Sequence, residues 1–258
     1  MRKILVLTQL FFCSLLPVHA QYTTLNAHSH NDYEQATPFF MAHNAHFGSI
    51  EADIWAVDGN LLVAHSKAEI TAERSLDSLY ILPIVRLYRK NGQKAWNDQA
   101  STFQLLIDLK TAVEPTLSLL VEKLEKYPDV FDSKGNAIRI VITGNRPVPS
   151  DFNKYPLFIS FDGNISLKYD DQQLKRIALY SENLKDFTRW NGKGPIIQKE
   201  EKRLRQIIDS VHGINKKIRF WNAPDEAEAW KTLMILKVDY INTDHIQELS
   251  TYLKTSND

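Results

Sequence analysis

Eight short apolar runs, most of them followed by a helical pattern, constrain this chain more than any other feature. They cover residues 24–28, 48–55, 102–109, 137–143, 157–161, 177–180, 217–221 and 238–242. Most are dense in Ile, Val, Leu and Phe without strict alternation, as parallel strands buried on both faces are. Helical faces lie between most of them: Leu117, Leu120, Val121 and Leu124 after Glu114-Pro115, then Leu204, Ile207, Ile208 and Val211. Further helices are expected after Pro224-Asp225 and over 246–253. Strand–helix alternation calls for a parallel sheet with right-handed crossovers. Eight such units predict an α/β fold, a single TIM-type (β/α)8 barrel. A doubly wound open sheet is the alternative, but no G-x-G-x-x-G loop follows the first run. The weakest connection is the fifth, where 167–175 make a poor helix.

The first twenty residues differ in kind. Arg2 and Lys3 precede a mostly apolar stretch over 4–18, and Val18-His19-Ala20 has the small-x-small shape of a signal-peptidase site. The stretch is short for a bilayer span. Phe11 and Phe12 stand where a lipoprotein signal needs small residues before Cys13. Residues 1–20 therefore read as a cleaved signal peptide and 21–258 as one barrel domain. The expected location is a periplasm or the cell exterior, with no stable transmembrane anchor after cleavage. Cleavage removes Cys13, the only cysteine, so a metal site must use oxygen and imidazole ligands. It also removes Arg2 and Lys3, which turns a balance of 31 basic and 31 acidic residues slightly acidic. A nucleic-acid partner would need a basic excess instead. No dimerisation signal is visible, and a monomer is the default.

Active sites of TIM barrels lie at the C-terminal ends of the strands. Four successive segments here end in ionisable groups: His28-Ser29-His30-Asn31, Glu51-Ala52-Asp53, Ala64-His65 and Asp108-Leu109-Lys110. Glu51 and Asp53 are two apart and face one side of a strand, as do Asp108 and Lys110. Acids pointing together into a buried region need something positive between them. Glu51, Asp53 and Asp108 would form an all-oxygen site, which suits one divalent cation, Mg2+ or Ca2+, better than Zn2+. His28 and His65 can flank it as proton donor and acceptor, and Lys110 can hold a phosphate oxygen. Singly, each residue reads as readily as a cap or a structural group. The order His, Glu-x-Asp, His, Asp-x-Lys on consecutive strands is what points to a site. Arg146, after the fourth run, can bind a headgroup or simply be solvated. Asp162, Glu182 and Asn222 also lie at or just past strand ends.

This order resembles the superfamily of glycerophosphodiester phosphodiesterases, phosphatidylinositol-specific phospholipases C and sphingomyelinase D-like phospholipases. Residues 102–111, TFQLLIDLKT, look like the third strand of the sphingomyelinase D-like group. His28 with Asn31 three residues on is similar to that group's first strand. Arg219-Phe220-Trp221 and 238–244, VDYINTD, resemble its seventh and eighth. The resemblance implies a TIM barrel and a phosphoric diester hydrolase. It implies a metal on Glu51, Asp53 and Asp108, an acid–base pair in His28 and His65, and phosphate at Lys110. Asn31 and Trp221 would face the substrate. Two departures stand out. His28-Ser29-His30 replaces the His-Arg-Gly of the glycerophosphodiesterases, and Asp108 stands where they usually carry Glu. Some phosphatidylinositol-specific bacterial enzymes replace the metal by an arginine. No Arg flanks Glu51 or Asp108 in the sequence, so metal dependence is expected.

The expectation is an exported phosphodiesterase that hydrolyses a small glycerophosphodiester or a phospholipid headgroup, with His28 as base and His65 as acid. The alternatives are a phosphomonoesterase on the same site and a non-catalytic barrel that binds a phosphate ester. A binuclear amidohydrolase-type site would need more imidazole than His212 and His245 provide.

Overall fold

The computed structural model describes residues 22–97, 102–132 and 138–255. The segment read as a signal, 1–20, lies outside the described residues. The strands are β1 (Ala27–Ser29), β2 (Ser49–Val57), β3 (Asn60–Val63), β4 (Phe103–Leu109), β5 (Ile138–Gly144), β6 (Ile159–Gly163), β7 (Ile177–Asn183), β8 (Lys217–Trp221) and β9 (Ile241–Thr243). The helices are α1 (Phe40–Asn44), α2 (Leu82–Lys90), α3 (Val113–Leu124), α4 (Pro128–Phe131), α5 (Asp171–Arg176), α6 (Gln198–Gly213), α7 (Ala227–Ile235) and α8 (Ile246–Thr255).

Eight strands form one parallel sheet in the order β8-β7-β6-β5-β4-β2-β1-β9. Its two ends meet. Asp239 N and Tyr240 N donate to Ile218 O at 3.0 and 3.3 Å, and Arg219 and Tyr240 form a parallel bridge. The result is a nearly closed barrel, as the eight runs predict. β3 stands apart as an antiparallel hairpin arm on β2, with Ile54 opposite Val63. It turns through Asp58-Gly59, both at positive φ (47° and 76°), the pairing that a tight hairpin favours. This hairpin carries His65 to the barrel mouth.

The first and last runs are shorter as strands than as sequence, and the fifth, 157–161, becomes strand only from Ile159, with β6 running on to Gly163. Residues 24–26 form a 3-10 turn, because the Thr23 and Asn26 side chains cap each other's backbone: Leu25 N donates to Thr23 Oγ1 and Thr23 N to Asn26 Oδ1. The last run pairs with β1 only over Ile241–Thr243. The doubtful helix reduces to α5, which starts on an Asp170 cap accepting from Gln172 N and Gln173 N.

Alternation along each strand divides the interior. On β4, Phe103, Leu105, Ile107 and Leu109 join the large core shared with the helices. Leu106 instead meets Val141, Leu179 and Tyr240 in a small separate cluster inside the barrel. Leu117, Leu120 and Leu124 of α3 and Leu204, Ile208 and Val211 of α6 bury one stripe each against the outside of the sheet. Toward the C-terminal ends the inward positions turn polar: Glu51 and Asp53, Asp108, Thr143, Asp162, Arg219 and Asn242. No helix among the described residues is long and apolar enough to cross a membrane.

β2, which bears two of the acids, begins against the first turn. A Cβ on Gly48 would lie 2.0 Å from the Leu25 carbonyl oxygen, so only glycine lets the two backbones approach. Gly48→Ala is expected to lower stability by about 1–3 kcal/mol, as other overpacked contacts do, read from urea unfolding curves. A variant as stable as the wild type would mean that this approach relaxes freely.

Candidate active site

β2 and β4 bring the three acids together. Asp53 and Asp108 are direct partners in the parallel register, and Glu51 lies one inward position below Asp53. One oxygen from each of Glu51, Asp53 and Asp108 falls within 4.8 Å of the others. Lys110 lies between two of them, its Nζ 2.9 Å from Asp53 Oδ2 and 2.8 Å from Asp108 Oδ2. Gly144 makes room beside them: it has φ +68°, and a Cβ there would fall 1.8 Å from Asp108 Oδ1.

The electrostatics match a site built for a cation. Burial, and after it the Glu51 charge, pushes the Asp53 carboxyl up to about 6, against the pull of Lys110. Burial alone would raise Glu51 too, but the Arg219 guanidinium and the nearby histidines hold it below the usual carboxylate range. Asp53 Oδ1 is buried and has no hydrogen-bond partner among the described residues. An orphaned carboxylate oxygen beside two more acids fits a hard divalent ion and is costly without one.

The three histidines near the acids stand differently. His28 is fully buried and outside the cavity wall. Its Nδ1 is 2.6 Å from Ser49 Oγ and its Nε2 2.8 Å from Glu51 Oε2, with Arg219 Nη1 also against Nε2. Burial, then the Arg219 charge, push His28 down to about 3. The His28 of the sequence reading is thus a neutral, enclosed group. The reason is strand period: His28 pairs with Ser49, below the acids, while the inward position at the mouth belongs to His30. His30 lines the cavity. Its Nδ1 is 2.9 Å from Asp244 Oδ1, and its Nε2 is 4.0 Å from Glu51 Oε1. His65 stands across from it, half exposed, with Nδ1 3.0 Å from Tyr33 Oη and 3.9 Å from Asp53 Oδ2. The same Tyr33 hydroxyl lies 2.7 Å from Asp53 Oδ2 and 2.8 Å from Asn31 Oδ1. Asn31 Nδ2 in turn reaches Asp244 Oδ1 at 3.3 Å. Asn31 thereby ties the two histidine supports together.

One expectation is corrected. An arginine does sit beside the acids, though it is far away in sequence. Arg219 Nη1 donates to Glu51 Oε2 at 2.9 Å and to Asn242 Oδ1 at 3.0 Å, and its Nε donates to Ser181 Oγ at 2.9 Å. The signal lay in β8, where Arg219 and Trp221 are two apart and so share the inward face.

A cavity of about 500 Å³ joins these groups to a polar far wall. Asp162, Glu182, Ser181 and Arg146 line that wall, with Trp221 at the rim. Arg146 Nη2 donates to Gly163 O over a long 3.4 Å. Thr143 Oγ1 donates to Asp162 Oδ2 at 2.8 Å, while Asp162 Oδ1 is buried without a partner among the described residues. Burial pushes this carboxyl up to about 6.

The model of the AIM6-like phosphodiesterase domain matches residues 17–150, just over half of the chain. The chain belongs to this family. A second model, the glycerophosphoryl diester phosphodiesterase family, matches residues 217–247, across β8 and β9. Altered inheritance of mitochondria protein 6 of Saccharomyces cerevisiae is 28% identical over 81% of this chain. The chain spans about 66% of that protein's length. Its Kluyveromyces lactis counterpart is 26% identical over 88% of this chain and 72% of its own length. A crystal structure of a glycerophosphodiester phosphodiesterase from Parabacteroides distasonis aligns over 90% of this chain and 97% of its own, with TM-score 0.54 and 13% identity. At that identity the likeness is one of fold.

The far wall of the family's cavity here has a measurable signature. An acid with a folded-state pKa above its unfolded value near 3.8 holds its proton more tightly when folded. Its contribution to stability therefore falls as pH rises from about 4 to about 6. Asp162→Asn is expected to remove that slope. Between about pH 4 and about pH 7, urea unfolding in EDTA should show the variant gaining about 1–3 kcal/mol on the wild type. Parallel pH profiles would show that Asp162 is ionised throughout.

Proposed function

We propose that this chain is a divalent-metal-dependent phosphodiesterase acting on a glycerophosphodiester or a phospholipid headgroup. One observation carries the reading: three clustered carboxylates share a barrel-mouth cavity with two histidines held from behind. Membership of a phosphodiesterase-domain family supports the reaction class, and the polar cavity supports a small, charged substrate. Glu51, Asp53 and Asp108 would hold one Mg2+ or Ca2+. Such an ion would supply Lewis-acid polarisation of a phosphoryl oxygen.

The chain's own groups do the rest. Lys110 and Arg219 set positive charge against phosphate oxygens, and Arg146 adds a third cation on the far wall. With its Nδ1 proton hydrogen-bonded to Asp244, His30 would turn its Nε2 lone pair to the cavity, as a general base requires. His30 takes the proton of the attacking hydroxyl, from water or from the substrate itself. His65, steadied through Nδ1 by Tyr33, gives its proton to the leaving alcohol oxygen. A substrate hydroxyl as nucleophile yields a cyclic phosphate, and water yields an open one. Export through residues 1–20 belongs to the same reading, and N-terminal sequencing of the mature protein checks it.

Hydrolysis of bis(p-nitrophenyl) phosphate, with Mg2+, Ca2+ or EDTA, tests the proposal. Turnover should require the metal. Asp108→Ala should abolish it with the circular-dichroism spectrum intact, and His30→Ala and His65→Ala should each lower kcat by about 10²–10⁴. An active Asp108→Ala would sink the metal site. Cleavage of p-nitrophenyl phosphate alone would make the protein a monoesterase.

A further inference from the structure

Arg219 is placed unlike Lys110, which also lies against the acids. Lys110 stands on a flexible stem and its side chain is a quarter exposed. Arg219 is 4% exposed and is held from four strands. Ser181 of β7 accepts from its Nε, and Glu51 of β2 and Asn242 of β9 accept from its Nη1, which also lies against His28 of β1. Three of these partners, Ser181, Asn242 and His28, are neutral. They fix the guanidinium plane without offsetting its charge. Glu51 is the one carboxylate that Arg219 touches within ion-pair distance among the described residues. A divalent ion on Glu51 would have to share that carboxylate with a cation unable to move aside.

We propose that Arg219 is a built-in counter-cation of the metal site and sets how weakly the site holds its ion. The inference rests on the metal reading above. A fixed unit charge a few ångströms from the ion opposes its binding through a partly buried medium, where screening is poor. Arg219 also lines the cavity, so the same charge faces the substrate whether or not an ion is bound. The site thereby trades ion affinity for a permanent phosphate-facing charge and keeps the ion exchangeable.

Binding of Mn2+ alone, titrated calorimetrically and by electron paramagnetic resonance, tests this without turnover. Arg219→Gln removes the charge and is expected to lower the Mn2+ Kd by about tenfold or more. Arg219→Lys keeps the charge and is expected to stay within about threefold of the wild type. Arg219→Met also removes the charge while keeping a long side chain in the space, and should tighten binding like the glutamine variant. This third variant decides the matter if Arg219→Gln fails to fold. Wild-type affinity in both Arg219→Gln and Arg219→Met would overturn the role of Arg219 and leave the metal reading standing. Tighter binding in the lysine variant as well would assign the effect to geometry and overturn the charge argument. No Mn2+ binding by any of the four proteins would overturn the metal reading itself.

Discussion

Three carboxylates held within a few ångströms at a barrel mouth repel one another, and burial makes that repulsion expensive. The mouth is arranged around this constraint. Lys110 spans Asp53 and Asp108, Arg219 takes one side of Glu51, and Tyr33 lies against Asp53. The compensation is incomplete, since Asp53 keeps one buried oxygen without a partner among the described residues and its carboxyl is pushed up to about 6. A cluster left short of positive charge in this way fits a cation.

The barrel makes such a cluster possible because its strands convert sequence spacing into height. Glu51 and Asp53 differ by two residues and so by one inward step along β2. The same step separates His28 from His30 and Arg219 from Trp221. His28, Glu51 and Arg219 belong to the lower step; His28 is closed off from the cavity, while Glu51 and Arg219 line its floor. His30, Asp53, Asp108 and Trp221 line it one step higher. A residue's role here follows from its step, and identical side chains two residues apart on β1 end in opposite environments.

Much of this was legible in the chain. The eight runs give the barrel, with boundaries off by up to three residues at the first, fifth, sixth and last; local capping shortens the first and brief pairing the last. Glu-x-Asp and Asp-x-Lys name the acid cluster and its lysine, because residues two apart on a strand share a face. His30, Tyr33 and Arg219 were missed as working groups for different reasons. His28 drew attention through its resemblance to a known first-strand histidine, although register decides which of the two imidazoles reaches the mouth. Tyr33 lies past β1 in a short turn, where no periodicity reports direction. Arg219 is 168 residues from the glutamate that it pairs with, and no spacing rule spans that distance.

The amino-acid sequence by itself determined the alternation of strands and helices, the all-oxygen character of the acid cluster and its place at the strand ends. Those properties are local: they depend on residue type and on a period of two. Tertiary structure alone decided which histidine faces the cavity, that an arginine shares the acid site, and that Asp162 and Glu182 form a polar far wall. Those properties depend on how the ring of strands closes. Closure places β8 across from β2 and sets the relative height of every strand, and that height is a property of the whole ring rather than of any one strand.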